Sequence, residues 1–242
     1  MEHQEYRRIA DAEDSHWWYR ATRSLIRQLL QPWLRPGIRV LDAGCGPGGN
    51  SAWLGEYGTV TGIDAAPEAV RLAHERHPEM EVSLGDVTAL PFDDGSFDVV
   101  MATTVLYVVE DDARAVREMA RVAAPEGPVL LIEPANRRLR RGHDDVVMTR
   151  RRYRLADLEA LARGAGLQLR RSTYAYSFLV PPAVALAAAH RLGPGKSSSS
   201  DLERDRMGTL FEPLARAERR VIARRRVPFG LSAVVLAENG PG

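Results

Sequence analysis

The chain has 242 residues, and its 33 basic and 32 acidic side chains leave a formal net charge of +1. This balance argues against a protein whose main task is to bind a polyanion. A hydrophobic content of 45% and a charged content of 27% are typical of a globular protein and exclude a collagen-like or disordered chain. The single cysteine, Cys45, excludes an internal disulfide. Because no stretch resembles a signal peptide or a membrane span, we expect a cytoplasmic protein.

The charges are distributed unevenly along the chain. Residues 1–136 carry 12 basic and 22 acidic side chains, whereas residues 137–242 carry 21 basic and 10 acidic ones. The N-terminal half therefore has a net charge of −10, and the C-terminal half has a net charge of +11. This division predicts a change of role near Asn136.

Strand and helix patterns alternate through the N-terminal half. Residues 1–36 show no strand pattern and contain an amphipathic helix over Arg20–Trp33, which Pro36 and Gly37 end. The strands that follow are apolar on both faces, which predicts a parallel sheet covered by helices on both sides. The predicted strands are Arg39–Asp42, Thr59–Asp64, Glu81–Asp86, Phe97–Thr104 and Pro128–Glu133, with helices near residues 50–57, 67–76 and 112–123.

The C-terminal half has a looser pattern and begins with an arginine-rich loop over Asn136–Arg154. Glycines 164 and 166 end the helix that follows this loop. The predicted elements are a helix over Leu155–Arg163, a strand over Leu167–Tyr174, an apolar helix over Pro181–Leu192, a flexible loop over Gly193–Ser200, a basic helix over about Leu210–Arg226 and a closing strand over Leu231–Ala237.

A glycine-rich loop, residues 40–49 with the sequence VLDAGCGPGG, joins the first strand to the helix predicted after it. Its glycines satisfy the dinucleotide-binding pattern, and Asp64 ends the second strand 20 residues after Gly44. The pattern alone is therefore compatible with NAD. However, Asp42 at the mouth of the loop would repel a pyrophosphate and would attract a ligand that carries an ammonium and a sulfonium. S-adenosyl-L-methionine (SAM) is such a ligand.

Two further acids follow strands in the same region of the chain. Asp64 offers two acceptor oxygens to the two hydroxyls of a ribose. Asp86 ends the third predicted strand, where an adenine amino group could be received. These acids can also serve only to cap turns, but their spacing favours an adenosyl ligand.

These motifs resemble those of class I SAM-dependent methyltransferases over roughly residues 38–133. Residues 40–48 resemble the family's first motif, residues 62–64 the ribose-binding strand end, residues 85–87 the adenine contact and residues 97–100 the fourth strand. The resemblance implies a doubly wound Rossmann-like α/β sheet of seven strands with the last strand antiparallel. It implies cofactor contacts at Asp42, Gly44, Cys45, Gly46, Asp64, Ala65, Asp86, Val87 and Thr103.

The same resemblance divides the chain into three segments. Residues 1–36 form a helical lid, residues 37–134 the SAM-binding core and residues 135–242 a substrate-side cap whose last elements complete the sheet. The lid contains His16, Trp18 and Tyr19 in an aromatic segment similar to that of a bacterial small-molecule methyltransferase subgroup. In this interpretation Trp18 and Tyr19 close over the cofactor and Arg23 pairs with its methionine carboxylate. Alternatively, the aromatic rings pack onto the sheet without contacting a ligand.

A general base is needed if the acceptor is a hydroxyl group. The candidates are His16, His143 beside two aspartates in the arginine-rich loop, and Tyr107, which follows the fourth strand where the family presents residues to the substrate. The subgroup usually has a further histidine where this chain has Thr149. Because of that substitution, the resemblance does not by itself assign a general base to this segment. We expect no metal and no catalytic role for the Cys45 thiol.

Three functions remain open from the sequence. The first is methyl transfer from SAM to an oxygen, nitrogen or carbon atom of a small molecule, such as a natural product, a sugar or a lipid-linked acceptor, with release of S-adenosyl-L-homocysteine. The second is methylation of RNA or protein through the basic C-terminal half, although we do not expect nucleic acid as a partner. The third is a SAM-binding scaffold or cyclase-like protein without methyl transfer. A monomer and a homodimer are both compatible with the sequence.

Overall fold

Seven strands form one mixed sheet in the computed structural model, which describes residues 3–136, 150–184 and 208–240. Their order across the sheet is β3-β2-β1-β4-β5-β7-β6. Strand β7 pairs antiparallel with both of its neighbours, whereas β1 to β5 pair parallel. The predicted seven-stranded sheet with an antiparallel last strand is confirmed. The strands are β1 Ile38–Ala43, β2 Gly58–Asp64, β3 Glu81–Leu84, β4 Val99–Thr103, β5 Pro128–Pro134, β6 Gln168–Ala175 and β7 Ser232–Glu238.

Helices cover both faces of the sheet. The helices are α1 His3–Ser15, α2 Trp17–Leu30, α3 Pro67–Arg76, α4 Asp112–Val122, α5 Leu155–Gly164 and α6 Gly208–Arg224. On one face lie α2, α3 and α6, and on the other lie α4 and α5. Alternate residues of the central strands point to opposite faces of the sheet. Val99 and Met101 of β4 pack in the core beneath α2, α3 and α6, while Val100 and Ala102 pack in the core beneath α4 and α5. All four are fully buried, which explains the continuous apolar runs in the sequence.

The strand order reverses between β1 and β4, and this reversal positions the site. From β1 the chain continues to β2 and β3 on one side, whereas β4 and β5 lie on the other. In open parallel sheets the connections diverge at such a point and leave a crevice at the carboxyl ends of the two strands. Ala43 ends β1 and Thr103 ends β4 at this crevice.

The structure of the N-terminal lid segment, residues 1–36, differs from the prediction. It contains two helices, because α1 precedes the predicted one, and α2 begins at Trp17 rather than Arg20. His16 marks the boundary, since its Nδ1 accepts a hydrogen bond from the backbone N–H of Trp18 at 3.2 Å and so caps α2. The buried side of α2, which includes Leu25, Ile26 and Leu30, packs on the sheet.

Other predicted boundaries also shift. The helix predicted near residues 50–57 is only a short 3-10 helix over Ala52–Glu56, because glycines at 55 and 58 disfavour an α-helix in this short connection. Strand β3 ends at Leu84, before Asp86, and β4 begins at Val99. The arginine-rich loop lies largely outside the described residues. Residues 185–192 of the helix predicted over Pro181–Leu192 and the loop over Gly193–Ser200 also lie outside them.

None of the helices in the described ranges of the chain combines the length and the apolar character that crossing a membrane requires.

Candidate functional site

A cavity of about 390 Å³ opens at the crevice. Its volume falls in the range of small-molecule sites. Its wall is formed by the end of β1 with the glycine loop, by the ends of β2 and β4 with the chain that follows β2, β3 and β4, and by the helices α1 and α2. The lining residues are Tyr6, Ile9, Glu13, Tyr19, Asp42, Gly44, Cys45, Gly46, Pro47, Asn50, Asp64, Ala65, Ala66, Asp86, Val87, Thr103, Thr104, Val105, Tyr107, Val108 and Val109.

The glycine loop is fixed against the end of β2. The backbone N–H groups of Gly44 and Cys45 donate to the carbonyl oxygen of Ile63 at 2.7 and 3.0 Å. Gly44 has a φ of +82°, and a Cβ added there would overlap the side chain of Val105, so only glycine fits. Gly46 also has a positive φ, but none of the described residues comes within 4 Å of an added Cβ. The loop is therefore tightly packed at Gly44 and open to a ligand at Gly46.

Asp64 links the loop to the end of β2. Its Oδ2 accepts a hydrogen bond from the N–H of Gly46 at 2.9 Å, and its Oδ1 accepts one from the N–H of Ala66 at 2.9 Å. Burial raises the pKa of this carboxyl. The two carboxylate oxygens together have about four lone-pair sites, so acceptor capacity remains for a ligand hydroxyl. Asp86 lies on the same cavity wall, where its Oδ1 accepts from the N–H of Thr88 at 2.8 Å.

Two buried polar atoms on the cavity wall have no hydrogen-bond partner within the described ranges of the chain. They are Thr103 Oγ1, in a residue that is 5% exposed, and Asn50 Oδ1, in a residue that is 9% exposed. Buried polar groups almost always have partners, and an unpartnered one costs about 1–3 kcal/mol. Because both side chains line the cavity, a bound ligand is the natural source of the missing partners.

The cavity is strongly acidic. Glu13, Asp42, Asp64 and Asp86 line it, and the described lining residues include no arginine, lysine or histidine. Burial raises the pKa of Asp42 to about 7 and that of Glu13 to about 8. A positively charged ligand would offset the cost of burying these carboxylates.

Helix α1 covers the cavity with Tyr6, Ile9 and Glu13. The Glu13 Oε2 accepts a hydrogen bond from the N–H of Gly49 at 3.1 Å. Burial and the charge of Asp64 raise the pKa of Tyr6 to about 12. The sequence pattern did not lead us to predict α1, although Tyr6, Ile9 and Glu13 have the three- and four-residue spacing of one helix face.

Ion pairs to α3 hold α1 in place. Arg7 Nε lies 3.3 Å from Glu68 Oε1, and Asp14 Oδ2 lies 2.5 Å from Arg76 Nη2. In each pair the two residues are about 60 positions apart in the sequence. The partner of α1 in both pairs belongs to α3, the helix that follows β2. The cover over the cavity is therefore joined to α3 by charged contacts.

The structure brings most of the predicted site residues together. Every predicted cofactor contact of the core lines the cavity, and so do Tyr107 and Tyr19. Burial raises the pKa of the Cys45 thiol, which keeps it protonated and unreactive. Asn50 is a lining residue that the sequence did not lead us to predict, although it directly follows the glycine loop.

Three predicted residues do not lie on the cavity wall. His16 caps α2, and Trp18 packs edge-on against Tyr19 with ring centroids 4.9 Å apart. Arg23 Nη1 donates to the carbonyl oxygens of Glu13 and Gly49, at 2.8 and 3.3 Å, so its guanidinium fastens α1 to the glycine loop. His143 lies outside the described residues. The roles predicted for these four residues stay predictions.

The loop after β4 is organised by the buried carboxylate of Glu133. This side chain is 0% exposed and accepts hydrogen bonds from three successive N–H groups, those of Val105, Leu106 and Tyr107, at 3.0, 2.8 and 3.2 Å. Burial raises the pKa of Glu133 to about 8 despite these bonds. On the other side of the loop, the carbonyl oxygen of Tyr107 accepts from the N–H groups of residues 150 and 151 at 3.0 and 3.2 Å. Tyr107 is therefore held at the cavity by its backbone.

Residues 41–131 match the protein family described as "Methyltransferase domain". This match covers the central part of the chain, and the sheet has the Rossmann-like fold of SAM-dependent methyltransferases.

Three curated relatives share this core. A 37.1 kDa protein in transposon TN4556 of Streptomyces fradiae is 36% identical over 165 residues, which are 65% of this chain and 48% of that protein. Norajmaline N-methyltransferase of Rauvolfia serpentina is 38% identical over 41% of this chain and 37% of its own length. The 2-methyl-6-phytyl-1,4-hydroquinone methyltransferase of Synechocystis is 41% identical over 43% of this chain and 34% of its own length. The chain thus spans half or less of these relatives.

Two solved structures resemble the whole chain. One is the complex of the Haloferax volcanii methyltransferase activator Trm112 with a methyltransferase; it has a TM-score of 0.66 and 20% identity and covers 99% of this chain and 96% of that chain. The other is the [4+2]-cyclase SpnF, with a TM-score of 0.62 and 23% identity over 93% of this chain and 84% of that chain. At these identities the likeness shows the shared fold.

Glu133 gives a first testable prediction. Replacing it with alanine leaves three buried N–H groups without an acceptor, and we expect the free energy of unfolding to fall by about 3 kcal/mol or more. Glu133→Gln keeps one acceptor oxygen and should lose less. Urea denaturation of the two variants measures the difference. Equal stability of the alanine variant and the unmodified chain would contradict the structural role.

The raised pKa of Glu13 gives a second prediction. Its ordinary value is 4.5 and its folded value is about 8, so the folded chain retains a proton that the unfolded chain releases. This contribution to stability is therefore lost as the pH rises from about 5 to about 8. We expect the unmodified chain to lose more than about 1 kcal/mol relative to Glu13→Gln across this interval. Denaturation of both proteins at several pH values measures the loss, and parallel pH profiles would refute the assignment.

Proposed function

We propose that the chain transfers the methyl group of SAM to an oxygen, nitrogen or carbon atom of a small molecule. The observation that carries this proposal is the combination of an acidic cavity at the crevice of a methyltransferase domain with the unpartnered Thr103 and Asn50 side chains on its wall. An adenosyl ligand with two positive charges fits this donor and acceptor set, whereas a pyrophosphate would meet four carboxylates without a balancing basic side chain in the described wall.

Different residues of the cavity wall bind different groups of the ligand. Asp64 accepts the ribose hydroxyls, as its free lone pairs permit, and Asp86 receives the adenine amino group. Asp42 supplies negative charge near the positive end of the ligand, and the open space at Gly46 admits the ligand to the loop backbone. Bound SAM supplies an electrophilic methyl group on a sulfonium, so the protein mainly has to orient the acceptor and exclude water.

The acceptor side of the cavity is mostly apolar. Val105, Val108 and Val109 follow β4, and Ile9 of α1 lies on the same cavity wall. The tyrosine at position 107 brings a hydroxyl among these apolar groups. This lining suits an acceptor with an apolar or ring-shaped body. Two of the relatives are named for such substrates, norajmaline and a phytyl hydroquinone, and their names alone leave the acceptor atom of this chain open.

Some of the described arginines of the C-terminal half form ion pairs within the chain, which leaves them less charge to offer an RNA substrate. Arg151 pairs with Asp112 at 2.5 Å, Arg226 with Glu159 at 3.1 Å and Arg150 with Glu110 at 3.5 Å. Acids of the chain itself balance these charges.

The division of the chain into three segments belongs to the same proposal. Residues 1–36 are the lid, residues 37–134 the core and residues 135–242 the cap. Within the lid, α1 covers the cofactor with Tyr6, Ile9 and Glu13, and Tyr19 of α2 lines the same cavity.

The test of the function is transfer of a labelled methyl group from SAM to a panel of hydroquinones, phenols, amines, carboxylic acids and RNA. We expect label in one or more of the small molecules and none in RNA. Asp64→Asn should lower the rate through weaker SAM binding, while Glu56→Gln, at an exposed position outside the cavity, should not. Binding of SAM without transfer to any acceptor would instead favour the non-methylating protein.

Thr103 gives a prediction in which two effects have opposite signs. Thr103→Val replaces an unpartnered buried hydroxyl with a methyl group of similar size, so the free chain should become more stable by up to about 1 kcal/mol. The same change removes a ligand partner, and SAM should bind about threefold to tenfold more weakly. Thermal unfolding and calorimetric titration measure the two effects. Unchanged SAM affinity would show that the ligand does not use this hydroxyl.

A further inference from the structure

We infer that Glu13 of α1 and Asn50 of the glycine loop bind, together with Asp42, the ammonium group of the cofactor's amino acid moiety. This inference rests on the proposed function, since it assumes that an adenosyl amino acid occupies the cavity. Glu13 lies outside the residues that match the methyltransferase family, and Asn50 follows the glycine loop motif within them.

Glu13 is fixed at the glycine loop. The residue is 2% exposed, and its Oε2 accepts the N–H of Gly49 at 3.1 Å. A Cβ added at Gly49 would lie 2.5 Å from the same oxygen, so the carboxyl group rests directly on the loop and only glycine leaves room for it. The contact places an acid from a helix outside the sheet at the cavity wall, where a cationic ligand group would favour its ionised form.

Asn50 contributes the second acceptor. Its backbone is held because its carbonyl oxygen accepts the indole N–H of Trp53 at 2.8 Å. Its side-chain Oδ1 is buried at the cavity and has no partner among the described residues. The hydroxyl of the next residue, Ser51, donates to the carbonyl oxygen of Gly48 at 3.4 Å and so helps to fix the loop. Two successive loop residues, Gly49 and Asn50, therefore contact Glu13 and present an amide oxygen.

An ammonium group matches this arrangement. It carries one positive charge and three N–H donors, and the wall offers two carboxylates and one amide oxygen. The neighbouring guanidinium groups are engaged elsewhere: Arg23 donates to the carbonyl oxygens of Glu13 and Gly49, and Arg76 pairs with Asp14. Within the described chain the Glu13 carboxylate has no ion-pair partner, so a cationic ligand group can supply it.

A different binding result is expected if the carboxylate of the ligand, and not its ammonium group, lies at this position. The Gly49 N–H that Glu13 occupies could otherwise receive the ligand's own carboxylate. In that case Glu13 would compete with the ligand, and its removal would strengthen binding. The wall composition favours the ammonium, because Asp42 and Glu13 together would repel a carboxylate at this position.

Calorimetric titration with three cofactor analogues separates these cases. S-adenosyl-L-homocysteine carries the ammonium and the carboxylate, decarboxylated S-adenosyl-L-homocysteine carries the ammonium only, and 5′-methylthioadenosine carries neither. The Glu13→Gln variant keeps an oxygen for Gly49 and removes the charge. We expect it to bind the first two ligands about tenfold more weakly, about 1.4 kcal/mol, and to bind methylthioadenosine within about twofold of the unmodified chain. Asn50→Ala should show the same pattern.

Asp11→Asn is the matched control, because Asp11 is an exposed acid of the same helix α1 and lies outside the cavity lining. It should bind all three ligands as the unmodified chain does. Equal weakening of methylthioadenosine in Glu13→Gln, unchanged affinities, or tighter binding of S-adenosyl-L-homocysteine would each overturn the inference. If the unmodified chain binds none of the three ligands, the proposed function itself fails; if it binds all three and the variants do not discriminate, only the ammonium site fails.

Discussion

Burial of acidic groups around one cavity is the constraint on which the site depends. Asp42 is 2% exposed at the end of β1, and Glu13 is equally buried on α1. Their charges are costly in a protein interior unless they gain partners. Asp64 obtains partners from the backbone of the glycine loop, while Thr103 and Asn50 have unpartnered atoms at the same cavity. A cationic ligand would complete the electrostatic balance of this site.

The core of the fold could be predicted because its signals are local. Continuous apolar runs indicate strands buried on both faces, and the glycine pattern after β1 indicates a ligand loop at the crevice. Asp42, Asp64 and Asp86 could be placed at or near strand ends for the same reason. Each of these residues lies within a few positions of a strong strand signal, and all three line the cavity.

The missed features depend on contacts between distant regions of the chain. Helix α1 has a polar composition, and Glu13 has the sequence context of a surface residue until its contact with Gly49, 36 positions away, is seen. Glu133 is, in the sequence, only the polar end of an apolar strand, yet it fastens the loop that carries Tyr107. The aromatic segment is divided, since Tyr19 lines the cavity while Trp17 and Trp18 pack against Tyr176 beside β6. Sequence spacing could not distinguish these alternatives.

The acidic wall should make the cavity select an adenosyl ligand that carries an ammonium group over a pyrophosphate dinucleotide. Competition binding between S-adenosyl-L-homocysteine and NAD on the unmodified chain measures this selectivity directly. We predict micromolar or tighter binding of S-adenosyl-L-homocysteine, about −8 kcal/mol or better, with no displacement by millimolar NAD. Tight binding of NAD, with S-adenosyl-L-homocysteine unable to compete, would contradict the assignment of the cavity to SAM.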